Sequence, residues 1–151
     1  MNGQRTAYSL AEVIMVVLIL GALAFIAVPR LNLAALYHKQ AHTVAKKIVT
    51  DLRRTRSLAI ANAANNNAGF RLQMTGSSPY TGYQITDVNS GSTVDSQSID
   101  SHISCAGGSQ FTFGPLGNLT GGGTQLTVTG QGRTYTITVI SGTGIVECTG
   151  G

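Results

Sequence analysis

The acidic side chain of Glu12 stands at the head of a run of sixteen apolar residues, Val13 to Val28. An ionised carboxylate in a hydrocarbon-like environment costs about 2.5–3.5 kcal/mol on insertion scales. Such a group is tolerated when a partner compensates it, since a buried charge without one is strongly destabilising. Glu12 is therefore the first candidate for a functional side chain, and the chemistry it offers is pairing with a positive group.

Two histidines, His38 and His42, are one helical turn apart, which is the spacing of two metal ligands. No Glu lies between them as in an HExxH motif, and the third histidine, His102, lies in a Ser-rich stretch. The sequence also contains no GxSxG motif, no P-loop and no paired carboxylates. We therefore predict no metal site, no cofactor, no catalytic residue and no enzymatic activity.

Positive charge is concentrated in one segment of the chain. Seven Lys or Arg residues lie between Arg30 and Arg56 with a single acid, Asp51, whereas two Arg face four acids beyond that segment. The net charge of +4 is thus a property of that segment and not of the whole surface. Four of these cations could contact DNA or anionic lipid headgroups: Lys46, Lys47, Arg53 and Arg54. An amphipathic helix needs a polar face in any case, and we favour that simpler interpretation.

The two cysteines, Cys105 and Cys148, both lie in the Gly-rich second half of the chain. In an exported protein they could form a disulfide, which would stabilise the fold by about 4 kcal/mol in the chain-entropy model. The alternative is that they are two unpaired small hydrophobic residues. We favour the disulfide, and the lack of a CxxC motif argues against a zinc or redox site.

The elements that must position these residues begin with a long helix. We predict one nearly uninterrupted helix from Tyr8 to about Ala64, and its first part, Tyr8 to Val28, has only Ser9 and Glu12 as polar side chains. Its 21 residues are enough to cross a bilayer. Pro29 should bend the helix, because it lacks an amide N–H and crowds the preceding turn.

The second part of the predicted helix is amphipathic. Residues recurring at steps of three and four form one narrow apolar stripe: Ala34, Tyr37, Ala41, Val44, Ile48, Leu52, Thr55 and Ala59. The four cations named above lie on the opposite face. The run from Asn65 to Gly69 then ends the helix.

The remainder of the chain alternates apolar and polar residues in short runs separated by turn-forming residues. The predicted strands are Gly69–Met74, Tyr83–Val88, Gln110–Phe113, Gln125–Thr129 and Thr134–Ile140, with a hairpin turn at Gly130 to Gly132. A sheet with one apolar face must cover it, and the helix stripe is the obvious cover. The predicted fold class is therefore α+β: a long bent N-terminal helix, transmembrane then amphipathic, packed on a C-terminal antiparallel β-sheet domain.

Three interpretations compete for the apolar head of the chain. A secretory signal peptide fits poorly, because Glu12 interrupts the front of its apolar core. A plain membrane anchor explains the length but not the acid. The third interpretation rests on "A-YSLAEV", which resembles the processing motif of type IV prepilins: a small residue, the cleavage point, an aromatic or apolar residue, Ser or Thr, Leu, and Glu.

This resemblance implies roles for individual residues. A prepilin peptidase would cut between Ala7 and Tyr8 and leave Tyr8 as an N-methylated first residue. Glu12 would then be the fifth residue of the processed chain, and Pro29 would stand where type IV pilins carry a helix-bending proline. The family usually has Gly before the cut, where this chain has Ala7. Because Ala is nearly as small as Gly, we expect processing still to occur, at a lower rate.

Later segments extend the resemblance. "KKIVTDLRRTRSLAIANAANN" resembles the helix end of the GspH/FimT group of minor pseudopilins, and "FTFGPLGN" and "TYTITVISGTGIV" are similar to its C-terminal sheet signatures. The implied domains are a leader at 1–7, a transmembrane and assembly helix at 8–29, an amphipathic helix half at 30–66 and a β-rich domain at 67–151.

The resemblance implies a structural role for the chain. The most specific function that the resemblance implies is that of a minor pseudopilin, which helps to prime or cap a type II secretion pseudopilus. The alternative is a minor pilin of a type IV pilus, with a possible role in DNA uptake. The implied partners are other pilins or pseudopilins, prepilin peptidase, the inner-membrane assembly platform, and the lipid bilayer before assembly. The implied location is the bacterial inner membrane, crossed once, with the C-terminal domain in the periplasm.

Two further expectations concern charge. In a filament, Glu12 would pair with the exposed α-amine of Tyr8 in a neighbouring subunit, so that the pair would set the axial register. DNA-uptake members of the family carry arginines near the C-terminus, whereas this chain ends in "SGTGIVECTGG", with Ile145 and Glu147 at those positions. DNA is therefore a partner that we do not favour.

Overall fold

A computed structural model of the protein describes residues 9–27 and 33–151, without the side chains of 25–27 and 33–39. Two helices precede the strands: α1 spans Leu10–Ala27 and α2 spans Leu33–Ala61. The chain forms two compact units, Met1–Leu33 and Ala34–Gly151. The predicted cleavage point between Ala7 and Tyr8 and the predicted bend at Pro29 lie outside the described residues.

The predicted fold class is wrong in its main feature, the long N-terminal helix. The structure has two separate helices, which end and begin on either side of residues 28–32. That interval contains Pro29, and a proline breaks a helix as readily as it bends one, because it removes a backbone hydrogen bond and disfavours helical geometry in the residue before it. The apolar stripe and the apolar run thus belong to different helices.

The predicted transmembrane segment, and with it the single-pass inner-membrane location, is also wrong. No helix within the described residues is both long enough and apolar enough to cross a membrane. Helix α1 has 18 residues.

Helix α2 carries the apolar stripe that its three-and-four spacing predicts. Ala41, Ile48, Leu52, Thr55 and Ala59 of the stripe are fully buried, and Val44 is half-buried. The remaining two members, Ala34 and Tyr37, are among the residues whose side chains are not described. The helix ends at Ala61. The buried Asn66 then holds the connection to the first strand: its Oδ1 accepts from the N–H of Gly69 and its Nδ2 donates to the carbonyl of that residue.

Nine strands follow α2 within the described part of the chain. In chain order they are β1 Phe70–Thr75, β2 Gly82–Asp87, β3 Thr93–Ser98, β4 Ser104–Gly107, β5 Gln110–Phe113, β6 Leu119–Gly122, β7 Gln125–Gly130, β8 Arg133–Val139 and β9 Val146–Gly150. They form two antiparallel sheets in place of the single predicted one. The five-stranded sheet has the order β3-β2-β1-β5-β6, and the four-stranded sheet has the order β4-β7-β8-β9.

The five predicted strands correspond to β1, β2, β5, β7 and β8. Strands β7 and β8 form the predicted hairpin, in which Gly130 pairs with Arg133. The two turn residues, Gln131 and Gly132, have φ of 49° and 79°, which is the geometry of a type I′ turn. The other four strands were not predicted, since they are edge strands, short or polar, with sequences such as "TVDSQS" and "LTGG".

The core lies between α2 and the inward faces of both sheets. Strand β1 shows how each strand contributes, because its residues alternate between buried and half-buried along its whole length. One continuous apolar cluster joins the helix stripe to Leu72 and Phe111 of the five-stranded sheet and to Val128 and Ile137 of the four-stranded sheet. No described residue of α1 belongs to that cluster.

Candidate functional site

Helix α1 presents apolar side chains on all of its sides. Ten large ones, from Leu10 to Leu23, are each between 50 % and 80 % exposed. A helix that is apolar all round is normally covered by other apolar groups. Exposed apolar surface of this extent marks an interaction site in soluble proteins. Helix α1 is therefore the candidate functional surface of the chain.

Glu12 lies in the first turn of this helix. Its N–H approaches Ser9 Oγ at 3.4 Å and donates to the Ser9 carbonyl at 3.0 Å. Ser9 and Glu12 thus occupy the N-cap and N3 positions of a capping box, in which a carboxylate also interacts favourably with the helix dipole. The S-x-x-E pattern in the sequence indicates this local role, which was not among the roles predicted for Glu12.

Glu12 is exposed, and no described side chain forms an ion pair with its carboxylate. Tyr8, the residue expected to supply the pairing amine from a neighbouring subunit, lies outside the described residues. Helix α1 is thus an exposed apolar helix with one acid in its first turn.

The four cations proposed as an anion-binding surface do not act together. Arg53 Nη2 donates to the carbonyl of Val146 on β9 at 3.0 Å, and Arg54 Nη1 forms an ion pair with Asp95 on β3 at 2.6 Å. Lys46 is exposed, and Lys47 is 3.9 Å from the Asp51 carboxylate one helical turn away. Two of the four cations therefore hold α2 to the strands. Of these two arginines, Arg54 is neutralised by Asp95, whereas Arg53 keeps its charge because its acceptor is a neutral carbonyl.

A third arginine, Arg56, completes these contacts. Its Nε donates to the carbonyl of Gly117 in the loop between β5 and β6 at 2.9 Å. The three arginines reach β9, β3 and this loop, so they fix α2 against both sheets. Arg53 and Arg54, which were considered as contacts for DNA or lipid headgroups, therefore bind groups of the protein itself.

The ion pair at Asp95 makes the stability of this contact dependent on pH. The hydrogen bond from Arg54, with smaller contributions from Gln97 and Ser96, holds the pKa of Asp95 below its ordinary value of 3.8. A carboxyl group whose pKa is lower in the folded than in the unfolded state stabilises the fold above its ordinary pKa. That contribution is lost as the pH falls through the folded value.

We expect Asp95→Asn to lower the melting temperature modestly near neutral pH and to have little effect well below pH 3.8, where the wild-type carboxyl is also protonated. Thermal unfolding followed by circular dichroism across that range measures the difference. Glu147→Gln is the control, since Glu147 is exposed on β9. A wild-type advantage over Asp95→Asn that persists unchanged at the acid end would contradict the assignment.

A buried acid on α2 makes the contact that the sequence did not reveal. Asp51 is 7 % exposed, and its Oδ2 accepts a hydrogen bond from the Tyr83 hydroxyl at 2.6 Å. Burial of Tyr83, followed by its hydrogen bond to Asp51 and the charge of that group, raises the pKa of the phenol above its ordinary value. Asp51 lies 32 positions from Tyr83 along the chain, so no local pattern connected them.

Both cysteines are free thiols. Cys105 on β4 and Cys148 on β9 lie on the two edge strands of the four-stranded sheet, with β7 and β8 between them. Three strand spacings separate them by about 14 Å, whereas a disulfide needs α-carbons within about 7 Å. The disulfide that we favoured from the sequence is therefore not formed in this fold. Burial raises the pKa of the Cys105 thiol to about 11, so this thiol is unreactive near neutral pH.

The histidines form no metal site in the part of the chain that is described, where no group of three or more His, Cys, Asp or Glu could hold an ion. The ring of His42 instead contacts the ring of Tyr135 on β8, with centroids 5.5 Å apart. The side chain of His38 lies outside the described residues.

Comparison of the chain with known proteins and structures finds no similar protein. The chain matches no model of a protein family, no curated protein and no solved structure. The likeness to prepilins therefore depends on the motifs quoted from its sequence.

Proposed function

We propose that the protein is a non-enzymatic subunit of a pilus-like filament, of the minor pseudopilin kind, which helps to prime or cap a type II secretion pseudopilus. The observation that carries this proposal is the exposure of α1. All ten of its large described apolar side chains up to Leu23 are open, while the core formed by α2 and the two sheets is complete without them.

Other copies or related subunits are the partners that best cover such a helix. Each fully buried Val, Leu, Ile or Met side chain contributes about 1.5–3 kcal/mol. Complete burial of ten such side chains would contribute roughly 15–30 kcal/mol, reduced in proportion to the part that α1 already covers. The lost translational and rotational freedom of two partners costs roughly 4–15 kcal/mol, so packing of α1 against like helices in a filament is favourable.

The acid at the start of α1 gives this packing a register. When neighbouring helices exclude water, Glu12 needs a cation, and the α-amine exposed by cleavage after Ala7 is the group that the prepilin resemblance supplies. Breaking a buried pair by removing one partner costs about 3–5 kcal/mol, so an axial shift that separates the two charges is disfavoured.

We expect Glu12→Gln to reduce incorporation into the filament at least tenfold, since each loss of about 1.4 kcal/mol is one factor of ten. Gln serves at the N3 position of a capping box as Glu does, so the substitution removes the charge and keeps the helix start. The full chain is co-expressed with a major pseudopilin and a prepilin peptidase, and its amount in sheared filaments is compared with its total amount.

Glu147→Gln is the matched control, because it removes one exposed acid from β9 and should leave incorporation unchanged. Undiminished incorporation of Glu12→Gln would show that the charge has no role in assembly. Failure of the peptidase to shorten the chain by the seven residues before Tyr8 would contradict the pilin-like function itself.

A further inference from the structure

The face of the five-stranded sheet that points away from the core is polar and half-exposed. Its central strand, β1, places Arg71 between Thr86 of β2 and Thr112 of β5. The next row along the strands consists of three glutamines in register: Gln84, Gln73 and Gln110. All six side chains are partly accessible. This arrangement is a flat array of hydroxyl and amide groups around one guanidinium.

The guanidinium of Arg71 is poorly satisfied in this array. Its Nη1 reaches Gln110 Oε1 at 3.4 Å, which is a long hydrogen bond, and its Nε is buried with no partner in the described structure. Thr86 Oγ1, on the strand directly beside it, is likewise buried without a partner among the described residues. A buried polar group without a hydrogen bond is destabilising, and each instance in a folded protein requires an explanation.

No described acid shares this face with Arg71. The acids on the neighbouring strands pair in register with core-facing residues, Asp87 with Phe70 and Asp95 with Ile85. Their carboxylates are bound elsewhere, to Asn66 and to Arg54 respectively. Arg71 is therefore a cation surrounded on this face by uncharged Thr and Gln side chains, with no counter-ion among the described residues.

We propose that this face is a binding site for the carboxylate of an acidic sugar chain, with Arg71 as its anion-binding residue. The side chain turns outward and donates two parallel hydrogen bonds from its guanidinium to the planar carboxylate, which is the geometry in which Arg recognises such groups. The movement breaks one long contact to Gln110 and gives the unpaired Nε a partner.

The neighbouring side chains favour a sugar over other carriers of negative charge. Amide and hydroxyl groups both donate and accept, and they match the ring hydroxyls that flank the carboxylate of a uronic acid. The six side chains of the face include no aromatic or aliphatic residue that would receive the side chain of a peptide. They include one cation, Arg71, whose single charge is balanced by one carboxylate.

Binding is tested on the full chain with a galacturonate oligomer as the probe. We expect the proton of Arg71 Nε, observed by nuclear magnetic resonance, to shift on titration, and the shift to be absent with the neutral galactose oligomer of the same length. Arg71→Gln should weaken binding at least tenfold, and Thr86→Val two- to fivefold. Arg133→Gln, which removes an exposed cation at the β7–β8 hairpin, should leave binding unchanged.

Arg71→Lys guards against a folding artefact, because it keeps the charge and loses the two parallel hydrogen bonds; a folded variant with at least fivefold weaker binding supports the site. An equal loss on Arg133→Gln would overturn the proposal, as would an equal shift with the neutral oligomer. An equal response to inorganic phosphate alone would overturn the assignment to an acidic sugar. None of these measurements depends on filament assembly.

Discussion

Tyr83→Phe is expected to lower the free energy of unfolding by about 2–3 kcal/mol. The substitution removes one hydroxyl and leaves the Asp51 carboxylate, 7 % exposed, without its hydrogen bond of 2.6 Å. A hydrogen bond to a charged group contributes about 1.5–3 kcal/mol, and an unsatisfied buried acceptor adds its desolvation cost. Lys47, at 3.9 Å and half-exposed, compensates only weakly. For a unit of this size the melting temperature should fall by about 8–13 °C.

Tyr80→Phe is the matched control for this prediction. Tyr80 is also buried and also donates its hydroxyl, but to the neutral carbonyl of Gly107 at 2.8 Å. A neutral hydrogen bond of that kind contributes about 1 kcal/mol. Circular dichroism during thermal and urea unfolding measures both variants. Equal losses in the two would show that the charge of Asp51 adds nothing to the contact.

Gly69→Ala is expected to destabilise the fold by about 3 kcal/mol or more. Gly69 follows the Asn66 turn and has φ of +78°, a left-handed conformation that costs an L-residue about 1–2 kcal/mol. A Cβ at this position would also lie 1.9 Å from the carbonyl oxygen of Phe113, which is backbone and has no side-chain freedom to move away. The junction between α2 and β1 must therefore move locally, which strains the pairing of Phe70 with Phe113.

Gly132→Ala separates the two causes. Gly132 has nearly the same φ, +79°, but beyond its own atoms and those of its two chain neighbours no described atom lies within 4 Å of the point that a Cβ would occupy. Its substitution should cost only the conformational part, about 1–2 kcal/mol. Urea unfolding of both variants gives the difference. If Gly132→Ala is as damaging as Gly69→Ala, the close approach to Phe113 has no energetic consequence.

The proposed assembly surface and the core are formed by different parts of this chain. The candidate assembly surface, α1, contributes no described residue to the core, whereas Asp51, Tyr83 and the three arginines of α2 serve the core and its edges. Substitutions on α1 should therefore change assembly with little effect on unfolding. Substitutions at the Asp51 contact should do the reverse.

Local patterns in the sequence predicted the elements that depend on local geometry. Alternation located β1, β2, β5, β7 and β8, because side chains on a strand point to opposite faces in turn. Spacing of three and four located the buried side of α2 for the same kind of reason. The polar edge strand β3 and the Gly-rich β6 carry no such alternation, so their existence depends on pairing with β2 and β5.

The same sequence patterns gave a wrong prediction of one long helix from Tyr8 to about Ala64. The apolar run before Pro29 and the apolar stripe that begins at Ala34 suggested one bent element, whereas the structure has two helices, α1 and α2. Such patterns indicate which residues need covering, and they do not show whether two helical segments form one element.

The sequence by itself determined where apolar and charged side chains stand along the chain, and hence the buried stripe of α2, five of the strands and the isolated acid at the start of α1. Only the tertiary structure decided what each charge contacts. It assigned Arg53 and Arg54 to the strands, placed Asp51 on Tyr83, set Cys105 and Cys148 on opposite edges of one sheet, and left Arg71 without a counter-ion among the described residues. The reason is physical: periodicity depends on neighbours one to four residues away, whereas each of these contacts joins residues at least 32 positions apart, brought together by the pairing order of the strands.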